Sequence, residues 1–176
     1  MKKILIYLSI AIITISCSPV EEDSAIVEEN RYPDQESWNT EIVLTKDGQK
    51  RAIVLAKHLT KYNDESVVIL DEKVDVDFFD EEQSHLSHLK SHKARVDERT
   101  NDLLAQGNVV VVSDSGVTLS TEELRWDHKR ERIISDVFIT LVSENDTLTG
   151  IGFESDSDLR NWIIDKPSGV TDRKLK

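Results

Sequence analysis

Val74, Val76 and Phe78 alternate with Asp75 and Asp77, so a strand here has one apolar face and one charged face. The richest patterning spans residues 103–141. There the β-branched run 108–112 precedes the turn signal Asp114-Ser115-Gly116 and a second run, Val117-Thr118-Leu119. Trp126-Asp127 opens a third strand-like piece, turned by Lys129-Arg130-Glu131-Arg132, and Val137, Ile139 and Leu141 form a fourth at period two. Short apolar runs at about ten-residue spacing, separated by polar turns, predict a meandering β-fold and not buried helices. Toward the N-terminus, strands over 41–45 and 51–56 flank the hairpin signal Asp47-Gly48. A turn at residues 61–64 precedes a strand over 67–70, and residues 80–83 end the alternating strand. Leu86 and Leu89 lead into the long stretch. After it, residues 146–153, a polar turn and Trp162-Ile163-Ile164 predict a strand, a loop and a last strand. The charged tail 171–176 should fray.

The pattern also repeats. Ala94-Arg95-Val96-Asp97 resembles Leu124-Arg125-Trp126-Asp127, and each is followed by a charged turn and then a strand. Tyr62, Val96 and Trp126 each stand about twelve residues before Val74, Val109 and Val137, as expected of repeated β-units that share a core. An ordinary β-sandwich with similar hairpins is the alternative.

The first residues change the picture of where this domain works. Lys2-Lys3 precedes an apolar run over 4–15, closed by Ser16-Cys17. At about twelve residues the run is short for a bilayer span, so it reads as a secretory signal. Ile15-Ser16-Cys17 resembles a bacterial lipobox, with Thr14 where a larger aliphatic residue is usual. The implied chemistry is a diacylglyceryl thioether on Cys17 and cleavage before it, giving a stable membrane anchor. Cys17 is the one cysteine, so the mature chain would have no disulfide and no thiol nucleophile or ligand. Residues 17–31, acidic and without period, read as a flexible tether. Residues 32–170, within a mature piece of about 160 residues, suit one domain.

The net charge is −12, and losing Lys2 and Lys3 with the leader takes it to −14. Such a surface repels nucleic acid and anionic headgroups. Any anionic amphiphile must then be held mainly through its apolar part.

Candidate chemistry is sparse. His85, His88 and His92 would share a face on a helix. On the predicted strand, His88 and His92 share one face and His85 takes the other, which argues against a metal centre. No nucleophile-elbow pattern is present, and Gly150-Ile151-Gly152 lacks the third glycine and helix start of a dinucleotide site. Neither an enzyme nor a cofactor is indicated.

Four segments stand in a distinctive order and spacing: Leu103-x-x-x-Gly107-Asn108-Val109-Val110-Val111, Leu119-x-Thr121-Glu122-x-Leu124-x-Trp126-Asp127, Ile133-x-Ser135-Asp136, and Leu148-x-Gly150-x-Gly152-Phe153-x-Ser155-Asp156-x-Asp158-Leu159. Together they resemble the LptC family of lipopolysaccharide export proteins. Two departures stand out: a lipoprotein signal in place of the usual N-terminal transmembrane helix, and the strong acidity. The resemblance implies an all-β, twisted, open β-jellyroll of V-shaped stacked antiparallel strands. It implies a periplasmic protein, anchored by lipid most naturally to the inner membrane. There it would accept lipopolysaccharide from an inner-membrane ABC transporter and pass it to an LptA-like bridge protein.

On this reading the inward, lipid-facing candidates are Val74, Val76, Phe78, Val96, Val109, Val111, Leu119, Leu124, Trp126, Val137, Ile139 and Leu141. The partner edge falls on Leu148, Ile151, Phe153, Trp162 and Ile164. The rival readings are a structural lipoprotein whose inward residues fill a closed core, and a hydrolytic lipoprotein using a histidine–carboxylate pair.

Overall fold

A computed structural model describes residues 32–168. The leader, Cys17, the tether and the tail from 169 onward lie outside the described residues.

The meander is one antiparallel sheet of ten strands. In chain order they are β1 (Gln35–Lys46), β2 (Gln49–Tyr62), β3 (Val67–Phe79), β4 (His85–Ser91), β5 (Lys93–Asp97), β6 (Asp102–Ser113), β7 (Thr118–Asp127), β8 (Arg132–Val142), β9 (Thr147–Asp156) and β10 (Trp162–Pro167). Successive strands are neighbours, and β4 and β5 together fill one place between β3 and β6. The expected jellyroll of paired sheets is thus a single sheet folded along a crease. The crease is a row of irregularities crossing every long strand. Pairing slips between Ala56 and His58, between Gln106 and Val109, between Thr121 and Arg125, and between Ser135 and Phe138. Left-handed backbone marks the same row at Asn39, at Glu72 and Lys73, at Gly107 and Asn108, and at Gly152. A bulge adds a residue to one strand, bends it and sharpens its twist. Aligned across the sheet, the bulges divide it into two leaves.

The front leaf holds residues 40–46, 49–56, 74–79, 109–113, 118–121, 138–142 and 147–151 with β4. The back leaf holds residues 58–62, 67–71, 102–106, 123–127, 132–135 and 153–156 with β5. Both leaves turn their apolar faces into one cluster, which includes Val54, Leu70, Leu89, Leu103, Ile133 and Phe153. Phe78 of the front leaf meets Trp126 of the back leaf edge to face, with centroids 5.2 Å apart.

The crease also explains the twelve-residue repeat. Tyr62, Asp97 and Asp127 end strands at the outer margin of the back leaf. Each is followed by a four-residue turn whose last residue, Ser66, Asn101 or Glu131, is left-handed, and the chain then returns to the crease. Trp126 is part of a continuous β7, so the separate third piece expected there does not exist.

Gly150 and Gly152 let β10 lie close on β9. A Cβ at Gly150 would collide with Ile164 Cγ2 and stand 2.7 Å from the Lys166 carbonyl oxygen. Gly150→Ala should therefore displace β10 and cost about 1–3 kcal/mol. Urea unfolding checks the magnitude, and faster amide exchange confined first to residues 162–166 checks the location.

Candidate functional site

The interior between the leaves is the first place to look for a cargo site. Of the inward candidates, Val74, Val76, Phe78, Val109, Val111, Leu119, Ile139 and Leu141 come from the front leaf, and Val96, Leu124 and Trp126 from the back leaf. All are buried in the shared cluster. They pack on one another, so the space between the leaves is filled by their own side chains. Val137 is a correction: it is 37% exposed. The slip between Ser135 and Phe138 adds a residue at the crease, which turns Asp136, Val137 and Phe138 outward before Ile139 resumes the inward face. The inner side of this bulge is polar. Thr121 Oγ1 donates to the Phe138 carbonyl at 2.9 Å, and Ser135 Oγ donates to the Glu123 carbonyl at 2.8 Å.

Opposite the crease, the outer margins of the leaves meet at two clasps. In one, Glu131 of the β7–β8 turn lies 3.1 Å from both Lys46 Nζ and Arg51 Nε of the β1–β2 hairpin. In the other, Ser87 and Ser113 donate to the carbonyls of Ser157 and Asp158 in the β9–β10 loop. That loop also drives Leu159, 0% exposed and left-handed, into the core. Between the clasps lies a cavity of about 430 Å³, open to solvent and floored by Phe79, Leu86 and Trp126.

The sheet never closes into a barrel, so β1 and β10 are free edges with one neighbour each. Exposed apolar side chains accompany both: Trp38 and Val43 on β1, and Trp162 and Ile163 on β10. The partner edge is therefore narrower than expected. Leu148, Ile151 and Phe153 belong to β9, whose backbone is paired by β8 and β10, and Phe153 points into the core. Among the five edge candidates, Trp162 and Ile164 lie on the free strand.

The family model for lipopolysaccharide assembly, LptC-related, matches residues 4–163. The chain belongs to the LptC family. No curated protein matches it. The family acts in lipopolysaccharide transport on the periplasmic side of the envelope and is not a family of enzymes. Among the described residues, no helix is long and apolar enough to cross a membrane.

Sequence patterning missed several residues of the interior and its rim. Leu103 and Ala105 are buried, but the left-handed pair Gly107-Asn108 breaks their parity with Val109. Gly-Asn within a β-branched run was the available signal. Leu159 had none, since it sits in a Ser/Asp loop. Arg51 is buried at the rim, which a charged residue in a hairpin does not announce.

The histidines form a structure of their own on the outer face. His85 and His88 share that face, contrary to the parity expected, because the β3–β4 pairing slips between Phe78 and Phe79. His88 Nδ1 lies 2.7 Å from Asp77 and Nε2 3.2 Å from Asp75. His85 Nε2 lies 3.2 Å from the same Asp77 oxygen, and Nδ1 2.9 Å from Asp114. Both nitrogens of each ring face carboxylates, so neither ring offers a free base to a substrate. Among the described residues, no group of three or more His, Cys, Asp or Glu is arranged to hold a metal ion.

Partial burial alone would lower the His85 pKa, but hydrogen bonds to Asp114 and Asp77 outweigh it and raise the pKa above 6.5. Burial would likewise raise Asp77, yet His88 and His85 hold it below 3.8. A raised histidine stabilises the fold fully below its unfolded pKa, and the gain is lost as pH rises through the folded value. A depressed carboxylate stabilises above its unfolded pKa, and the gain is lost as pH falls through the folded value. The ladder should thus be strongest between about pH 4 and pH 6.5. His128 works in the opposite sense, its pKa lowered by burial and by Lys46. The difference between the unaltered protein and His85→Gln isolates the ladder. Their urea midpoints should lie farthest apart between about pH 4 and pH 6.5 and draw together as the pH rises through the raised His85 value.

Proposed function

We propose that this chain is the membrane-anchored, periplasmic LptC component of the lipopolysaccharide export bridge. It accepts lipopolysaccharide from an inner-membrane ABC transporter and passes it to an LptA-like bridge protein. The observation that carries this reading is the pairing of an apolar interior between two leaves with a free strand at each end of the sheet. Membership of the LptC family gives the cargo its identity. Acylation of Cys17 supplies the anchor on this reading, with the acidic tether spacing the domain from the membrane.

The closed interior sets the mechanism. Acyl chains enter by parting the leaves at the rim, with the crease as the hinge. The Lys46–Glu131 pair of the rim, about a third exposed on each side, contributes about 0–1 kcal/mol. The pairing of buried Arg51 with Glu131 is offset by the cost of desolvating both charges, so the ion pairs are a minor part of what holds the leaves together. Apolar packing is the main part, and each acyl methylene that takes its place returns about 0.8 kcal/mol. The free edges join neighbours by strand addition, in which backbone hydrogen bonds extend the sheet into the next protein. The β1 edge meets the transporter and the β10 edge the bridge.

A photo-crosslinking residue at Val76, Val109 or Ile139 should capture labelled lipopolysaccharide in cells with an active transporter. One at Ile163 should capture the bridge protein instead. Silence at all three interior positions in a well-expressed protein would favour the second reading, a lipid-anchored structural β-lipoprotein without cargo, which the filled interior also suits. Val109→Asp places an unpaired charge in the apolar interior and should reduce export several-fold in protein that still folds. Lipopolysaccharide retained at the inner membrane is the readout.

A further inference from the structure

The rim holds a buried histidine at the seam between the two leaves. His128 opens the turn between β7 and β8 and is 8% exposed. Its ring packs edge to face on Trp126, with centroids 5.1 Å apart. Its backbone N–H donates to Asp102 of β6 at 2.9 Å. The β1–β2 hairpin of the front leaf forms the other side of the seam. There the Thr45 backbone carbonyl faces the ring, and Lys46 stands close enough to act on its charge. Lys46 Nζ also reaches the carbonyl of Lys129, the next residue of the turn, at 3.5 Å.

This seam suits a neutral ring and opposes a charged one. Nδ1 is buried and has no hydrogen-bond partner among the described residues. A neutral imidazole can leave one nitrogen unprotonated, whereas an imidazolium must donate from both. The neighbouring carboxylates are already engaged. Glu131 lies 3.1 Å from both Lys46 and Arg51, and Asp102 accepts the His128 backbone N–H. Burial and Lys46 hold the His128 pKa below its ordinary value, against the pull of Glu131 and Asp102.

We propose that His128 is a proton-operated latch on the rim: neutral, it fits the seam between hairpin and turn, and protonated, it turns out to water and lets the seam part. In the open rim the ring is solvated and titrates near its ordinary value of about 6.5. As the pH falls below that value, the open form takes up a proton that the closed form does not. The opening equilibrium then rises by up to tenfold per pH unit, until the closed form also titrates. The sense is opposite to that of the His85–Asp77 ladder, so mild acid loosens the rim without loosening the outer face of the front leaf. A role in cargo entry rests on the transport reading, with the leaves parting more readily in mild acid. The latch itself needs no cargo.

The test uses the full chain in zwitterionic nanodiscs, without lipopolysaccharide, and two resonances. One is the His128 ring, titrated directly. The other is the indole N–H of Trp126, which is 1% exposed and has no acceptor among the described residues, so that its exchange reports opening. Each exchange rate is divided by the intrinsic rate at that pH. Between about pH 7 and pH 5 the indole protection should fall several-fold, and by no more than about tenfold per pH unit. The Val111 amide in the middle of β6 should keep its protection. His128→Gln keeps a neutral N–H, and His128→Phe keeps a ring against Trp126. In whichever of them folds, the indole protection should be flat over the same range. The latch is overturned by a His128 ring that titrates at or above 6.5, by indole protection independent of pH in the unaltered protein, or by a fall that persists in a folded variant. Equal loss at Val111 would show global unfolding and overturn it too. With no cargo present, failure here leaves the transport reading standing, and silent crosslinks at Val76, Val109 and Ile139 leave the latch standing.

Discussion

Everything in this domain depends on the bend that each long strand makes at the same level. Antiparallel strands held straight would give one wide sheet with an apolar face open to water. The bulges at residues 57, 107–108, 122–124 and 136–137, with the left-handed residues beside them, fold that face onto itself. His92 occupies the same line between β4 and β5, and its N–H bonds the Gly107 carbonyl at 3.0 Å. A Cβ on Gly107 would stand 3.2 Å from the His92 ring nitrogen Nδ1, so glycine there keeps the crease tight. The crease costs regular ladder hydrogen bonds, and hydroxyls replace some of them: Thr121 and Ser135 satisfy carbonyls that the slipped pairing leaves on the inner side.

A core built this way is closed but not knotted together. The leaves are covalently joined only through the strands that cross the crease, and the rim holds them with a few ion pairs and two serine hydroxyls. As in any face-to-face packing of sheets, parting the leaves would separate side chains and leave the ladders intact, because those hydrogen bonds run within each leaf. Hydrocarbon replaces such contacts in kind, a property compatible with the lipopolysaccharide transport in which the LptC family acts.

Much of the fold was legible in the alternation of Val74, Val76 and Phe78 and in the turn signals between runs, because a half-buried strand writes its period directly into the sequence. Most of the inward residues followed from the same parity. What the sequence could not convey was where parity resets. Val137 fits the period of Ile139 and Leu141 perfectly well, yet an extra residue at the bulge turns it outward. His85 and His88 fit opposite faces until the slip beside Phe79 puts both on one. A bulge is a cooperative property of two paired strands, so neither strand alone announces it unless glycine or asparagine supplies the strained backbone, as at Gly107-Asn108. The rim clasp was illegible for a different reason: Arg51 and Glu131 are far apart in the chain and look like ordinary hairpin charges.

The two free edges are chemically unequal, and this bears on how such a sheet joins others without aggregating. β1 is long, and it carries the charges Glu36, Glu41 and Lys46 along with the exposed Trp38 and Val43. β10 is half that length and stops at Pro167, which has no N–H to continue a ladder. Its Ile163 is 62% exposed, while Ile164 and Asp165 lean over the glycines of β9. An incoming strand can therefore pair with β10 over only a few residues, in a register limited by the proline. Short, interrupted edges are a known protection against indiscriminate strand addition. An edge that is brief but flanked by Trp162 and Ile163 asks its partner for matching apolar side chains as well as backbone, which favours a dedicated neighbour over a second copy of this acidic chain.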